Sequence, residues 1–264
     1  MNSDRSSAHR VLAMLDATLL RPDASADDVL ALCRKADSPA GRVAAVCVRP
    51  EWIGTARAAL EVTTSGDDRV RIASIANFPA GGSDIDHAVE DVRRAIRLGA
   101  DEIELVYPWH ALLEGNEASG QALVAACREA SRRCLLKVIL ETGELGEPEL
   151  IRRAAELAIA GGADFVKTST GTTSNGATPQ AVAVLLKTIQ DSGRDVGCKV
   201  SGGVGRLDQA LEYLELADEV MGKPWTRPAR FRFGASALLD QTLEKIDSAD
   251  NTLTKRSHPV HKKS

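Results

Sequence analysis

The order of segments along the chain predicts an α/β fold: a single (β/α)8 barrel with an N-terminal helix. Short β-rich apolar runs alternate with longer amphipathic stretches through most of the 264 residues. The early runs recur about every 30 residues, the length of one strand–helix unit. No Gly-x-Gly-x-x-Gly turn follows the first run, which weakens the competing architecture, an open doubly wound sheet that binds a dinucleotide.

Helical stretches at residues 7–15 and 26–35 precede the first expected strand, 42–48. Further strands are expected at 70–76, 102–107, 134–140, 163–168, 197–201, 219–221 and 232–234, with 219–221 the weakest pattern. Between them the sequence predicts helices at 51–61, 84–98, 120–132, 147–160, 179–190 and 207–216, and another at 235–245 after the last strand. Leu150, Ile151, Ala154, Leu157 and Ala158 show the 3.6-residue period of a helix packed on a sheet. No Pro-, Gly- or Ser-rich linker divides the chain, so residues 1–246 read as one domain. Residues 247–264 are polar, lack strong periodicity and read as a mobile tail.

Composition narrows the function classes. Apolar residues make up 44% and charged residues 27%, ordinary for a globular chain, but aromatics are only 3%, so Val, Leu, Ile and Ala must build the core. A formal charge of -4 argues against nucleic acid or an anionic membrane as a partner, while leaving room for a local phosphate pocket. The five cysteines, Cys33, Cys47, Cys127, Cys134 and Cys198, are widely spaced and form no CxxC, which points to a reducing compartment and hence the cytoplasm. The five histidines form no HExxH, so a metal site has little support. The opening MNSDRSSAHR has no apolar core of a leader, and no apolar run approaches membrane-spanning length.

Two lysines stand out. Lys167 lies in Phe165-Val166-Lys167-Thr168-Ser169-Thr170-Gly171, and Lys199 in Gly197-Cys198-Lys199-Val200-Ser201-Gly202-Gly203. Each follows a short apolar run that ends in Ser, Thr and Gly. A lysine buried on a strand beside another cation has a depressed pKa and becomes a usable amine nucleophile. The plainer reading is a lysine that snorkels from an edge strand or pairs with a carboxylate. Glu104, Lys137, Lys167 and Lys199 fall on successive expected strands, the third to the sixth, and in a closed barrel they converge toward its C-terminal mouth. Lys137 is an alternative amine on geometry alone, but, flanked by Leu136 and Val138, it reads as deeper and paired with Asp16 or Glu104. Asp16 alone reads first as an N-cap or a core salt bridge. Cys47 reads as a small core residue.

The sequence resembles bacterial deoxyribose-phosphate aldolases from about residue 15 to 239. The similarity is carried by Leu15-Asp16-Ala17-Thr18-Leu19, Ala76-Asn77-Phe78-Pro79, Leu136-Lys137-Val138, Glu141-Thr142-Gly143-Glu144-Leu145, the segment 163–171, Gly202-Gly203-Val204 and Arg232-Phe233-Gly234-Ala235-Ser236. The resemblance implies a TIM-barrel class I aldolase that needs no metal or organic cofactor and acts on a small sugar phosphate and acetaldehyde. It implies that Lys167 forms the Schiff base, that Lys199 lowers its pKa, and that Glu104 stands where the family has an aspartate for proton transfer. Asp16, Asn77, Lys137, Thr168, Ser169 and Thr170 are implied near the substrate, and Gly171, Gly202, Gly203, Gly234 and Ser236 around its phosphate. Asn77 also reads as a turn residue before Pro79, and Ser169 and Thr170 as caps. The phosphate end departs from the family: Thr172 replaces a lysine, Gly205 an arginine (with Arg206 next to it) and Ala237 a serine. The tail lacks the family's terminal tyrosine. A related Schiff-base aldolase for unphosphorylated aldehydes, or a non-catalytic sugar-phosphate-binding barrel, is the alternative. A homodimer is compatible with the sequence.

Overall fold

The computed structural model describes residues 2–61 and 69–257. Eight parallel strands close into a barrel: β1 (Leu15–Leu19), β2 (Ala45–Val48), β3 (Arg71–Ala76), β4 (Glu102–Val106), β5 (Leu135–Ile139), β6 (Phe165–Lys167), β7 (Gly197–Ser201) and β8 (Phe231–Ala235). Each strand pairs with the next, and β1 closes the ring by pairing with β8 through Leu15–Phe233 and Asp16–Gly234.

Two expected strand assignments are corrected. The sequence reading ran its first helix to residue 15, but the helix α1 (Asn2–Ala13) stops short and β1 begins at Leu15. Residues 219–221, read as a strand, are the last turn of α10 (Leu207–Met221). The total of eight survives, but every ordinal moves up by one up to the seventh. Glu104, Lys137, Lys167 and Lys199 therefore sit on β4, β5, β6 and β7, the fourth to seventh strands.

The outer ring contains α2 (Ala26–Ala36), α3 (Ile53–Glu61), α4 (Ile85–Arg97), α5 (Trp109–Leu113), α6 (Glu117–Ala130), α7 (Thr142–Leu145), α8 (Pro148–Ala160), α9 (Pro179–Ser192), α10 and α11 (Ala237–Ser257). Their starts are specified locally. Ser25 caps α2 in a reciprocal capping box with Asp28, and Thr178 caps α9 with Pro179 in its first turn. Residues 247–257, read as the start of a mobile tail, continue α11, and residues 258–264 lie outside the described residues. A single apolar layer between strands and helices forms the main core, built largely of Val, Leu, Ile and Ala as the composition requires.

Inside the barrel the chemistry differs. Strand residues alternate between the two faces, and Leu15 and Ala17 join the main core while Asp16 enters an ion network with residues of other strands. The barrel's small apolar cluster comes from β2 and β3: Ala45, Cys47, Ala73 and Ile75. Opposite it, β4 to β8 supply charged side chains and one ring, Phe165, whose centroid lies 6.0 Å from Lys137 Nζ and 5.8 Å from Arg232 Cζ. Glycines make the room. A Cβ at Gly197 would stand 2.4 Å from the Phe165 ring, and one at Gly234 would stand 2.7 Å from Lys199 Cε.

Candidate active site

Seven side chains from six strands form one buried ion network. Lys167, the last residue of β6, places Nζ 2.6 Å from Glu104 Oε2. Lys199 Nζ donates to the other Glu104 oxygen and, at 2.7 Å, to Asp16 Oδ2. Lys137 Nζ donates to the same Asp16 oxygen and lies 2.6 Å from Glu102 Oε2 and 3.5 Å from Glu104 Oε1. Arg232 donates to Asp16 Oδ1 at 2.6 Å and lies 3.5 Å from Glu102. All seven are buried. Lys137 is thus deeper and paired with both carboxylates expected for it. Asp16 is a core salt-bridge residue that holds three cations, not a helix cap. Glu102 and Arg232 are additions that the sequence reading did not single out, although both carry charge on expected strands.

Burial is the largest influence on Lys167 and lowers its pKa. Glu104 pulls the other way, and Lys199 adds to the lowering. Of the two causes expected from sequence, burial and a neighbouring cation, like-charge repulsion by Lys199 therefore ranks behind desolvation. Burial also disfavours the charge on Lys199, but Asp16 and Glu104 outweigh it and raise that pKa. For Glu104, burial is opposed by Lys167, Lys199 and Lys137, which hold its carboxyl well below the usual carboxylate range. At neutral pH Glu104 is an ionised proton acceptor, Lys199 a fixed cation, and Lys167 the amine most ready to lose its proton. Burial pushes the Cys47 thiol up to about 12, so it is no thiolate.

Lys167 lines a cavity of about 540 Å³ at the C-terminal ends of the strands. Thr170, Gly171, Gly202, Gly203, Gly234 and Ser236 belong to its wall. Gly202 and Gly203 have φ values of 89° and 84°, which glycine adopts without strain. Arg21, on the loop after β1, also lines the cavity, as do Thr18 and Ser201. None of the three is named as a site residue from the sequence, although Thr18 lies in the Leu15–Leu19 motif and Ser201 in the Lys199 segment.

Other expected site residues are used differently. Thr168 and Ser169 join β6 to β7: Thr168 Oγ1 donates to Ser201 O at 2.8 Å and accepts the Ser201 N–H at 2.9 Å, while Ser201 Oγ donates to Ser169 O at 2.5 Å. Asn77 has φ 55° and donates its amide to Gly82 O at 2.8 Å and Val106 O at 3.0 Å, the turn role rather than a place in the cavity wall. Thr170 N–H is 3.2 Å from both carboxylate oxygens of Glu141, and its hydroxyl is 2.8 Å from that of Thr172. Arg206, expected near the anion end, instead pairs with Asp208 and lies outside this cavity wall. Among the described residues no group of three His, Cys, Asp or Glu side chains is placed to hold a metal ion, and no helix is long and apolar enough to cross a membrane.

A desolvated lysine amine beside an ionised carboxylate at the mouth of a barrel is an arrangement able to form an imine with an aldehyde. Residues 10–241 match the family model of the DeoC/LacD family aldolases, and the chain belongs to that family. It is an enzyme of the aldolase class with Schiff-base chemistry. Among solved structures, the chain is similar to the apo form of a candidate deoxyribose-phosphate aldolase from Toxoplasma gondii ME49, with 26% identity and a TM-score of 0.86 over 94% of this chain and 98% of that one. A candidate deoxyribose-phosphate aldolase from Coccidioides immitis is 28% identical, with a TM-score of 0.73 over 88% of this chain and 87% of that one. The tetrameric deoxyribose phosphate aldolase of Aeropyrum pernix shares the fold at 24% identity, with a TM-score of 0.70 and 94% of each chain covered.

Proposed function

We propose that the protein cleaves 2-deoxy-D-ribose 5-phosphate reversibly to D-glyceraldehyde 3-phosphate and acetaldehyde, with Lys167 as the Schiff-base residue. The observation that carries this reading is the 2.6 Å contact of Lys167 Nζ with Glu104 at the base of the cavity, with Lys199 on the carboxylate's other oxygen. Neutral Lys167 adds to C1 of the open-chain sugar and loses water to give a protonated imine. Loss of the C3 hydroxyl proton breaks the C2–C3 bond, and its electron pair moves into the imine to leave an enamine. Glyceraldehyde 3-phosphate departs. The enamine is protonated at C2, and water releases acetaldehyde and the amine. Glu104, ionised in the resting site, takes and returns these protons through water, and Lys199 holds its position.

The phosphorylated end of the substrate is assigned to the glycine-rich lining of the same cavity. Gly171, Gly202, Gly203 and Gly234 let backbone approach an anion, Ser236 offers a hydroxyl, and Arg21 is the cation of that lining. Arg21 is itself paired with Asp23 at 3.1 Å and Asp28 at 2.5 Å, which offsets part of its charge. The reading therefore includes a preference for phosphate, weaker than in relatives that have a lysine at 172 and an arginine at 205.

Acetaldehyde with borohydride should leave an ethyl group on Lys167, read by peptide mass spectrometry, and Lys167→Leu should abolish both label and turnover. Label retained in full by that variant overturns the assignment. Equal turnover of deoxyribose and its 5-phosphate by the parent protein would favour an aldolase for unphosphorylated aldehydes instead, and no turnover of either a binding barrel.

A further inference from the structure

The buried network holds three carboxylates, Asp16, Glu102 and Glu104, against four basic groups, Lys137, Lys167, Lys199 and Arg232. It is neutral only when one base has lost its proton. In a medium of low dielectric constant an unbalanced charge is costly, so the count favours a state with one neutral amine. Which amine that is follows from the contacts. Lys137 meets three carboxylates, Lys199 meets two, and Arg232 meets two and is a guanidinium that does not deprotonate. Lys167 meets only Glu104.

We propose that Glu102 and Arg232, neither of which lines the cavity, are positioning residues that set the protonation of Lys167 by fixing the charge count of this network. The inference rests on Lys167 being the reactive amine.

Beside the network, Cys47 and Glu141 are the further titratable groups that act on Lys167 or are acted on by it. Glu104 on β4 and Lys199 on β7 are in the network, as are Asp16 on β1, Lys137 on β5 and Arg232 on β8. Cys47 on β2 is a neutral thiol. Glu141, on the loop after β5, accepts from the Thr170 N–H, and burial is the main influence raising its pKa. Lys167 acts on Glu141 in the opposite sense and lowers its pKa.

The test is the pH dependence of ethyl-adduct formation on Lys167 with acetaldehyde and cyanoborohydride. Labelling needs the neutral amine, so its acid limb reports the Lys167 pKa. Glu102→Gln removes a negative charge and should move the limb to lower pH. Arg232→Gln removes a positive charge and should move it to higher pH. Each shift is expected to be about one pH unit. Arg232→Lys, which keeps the charge, and the double variant Glu102→Gln/Arg232→Gln, which keeps the balance, should return the parental limb. A purely structural role gives no such opposition of sign between two adjacent residues. A limb that stays fixed, or moves the same way in both single variants, overturns the proposal. Thermal melting identifies which variants are folded, and either single variant decides the matter through its own sign. Absence of a Lys167 adduct in the parent protein is a different result, which removes the Schiff-base assignment itself.

Discussion

Lys167 and Lys199 share one carboxylate but differ in what surrounds their charge. Lys199 is enclosed by Asp16 and Glu104, whereas Lys167 meets Glu104 and the cavity. This asymmetry leaves Lys167 the more readily deprotonated of the two, and in the proposed reaction Glu104 is the proton acceptor. Glu104→Gln keeps the shape but removes the proton acceptor, so kcat should fall about a hundredfold or more while KM changes little. A comparable loss in KM, with kcat retained, would assign Glu104 to binding. At the glycine-rich lining, Arg21→Gln should raise KM for the 5-phosphate about tenfold, the loss of one charge-assisted hydrogen bond, and leave that for free deoxyribose nearly unchanged. Steady-state kinetics with both sugars checks it, and equal changes for both would place Arg21 in loop order.

At the scale of elements, what was legible followed from the hydrophobic pattern. β2 to β7 stand out as short β-rich runs bounded by turn residues, between longer amphipathic stretches. β1 was obscured for a physical reason. Leu15-Asp16-Ala17-Thr18-Leu19 alternates faithfully, but Asp16 enters an ion network inside the barrel, Thr18 lines the cavity, and the first apolar residue extends the pattern of α1. Residues 219–221 misled in the opposite direction, since Val220 and Met221 pack on the core from a helix. The two lysines could be named from sequence because a charge in an apolar strand is conspicuous. Arg21 could not, because its place in the cavity depends on how the loop after β1 folds over it. Packing between strands also yields a test. Gly197 faces Phe165 so closely that Gly197→Ala must displace the ring that covers Lys137 and Arg232. It should cost roughly 1–3 kcal/mol, measured as a lower urea midpoint. An unchanged midpoint would show that the ring moves freely.

For the whole molecule the network makes stability depend on acid. The pKa values of Asp16 and Glu104 are lower in the folded protein than in the unfolded chain. Their contribution is fully present above the unfolded carboxylate values, near pH 4, and is lost as pH falls through the folded values. Lys199 has the opposite sign: its raised pKa stabilises below its unfolded value and ceases to do so as pH rises through the folded one. Urea midpoints should therefore fall steeply below about pH 4, and Asp16→Asn, which leaves buried cations uncompensated, should unfold at lower urea throughout the neutral range. A flat acid profile would mean that the network adds nothing to folding.

The pairing of β1 with β8 also fixes when the molecule can be finished during synthesis. Asp16 and Arg232 are 216 residues apart, so an aspartate made near the start waits for an arginine made near the end. A nascent chain that has reached only β7 presents two open sheet edges, and its interior lysines lack the complete set of charges. Such long-range closure is slow and leaves apolar surface exposed meanwhile. Helices formed on the ribosome therefore protect this protein little. It becomes both resistant to aggregation and chemically competent at one event, the arrival of its last strand.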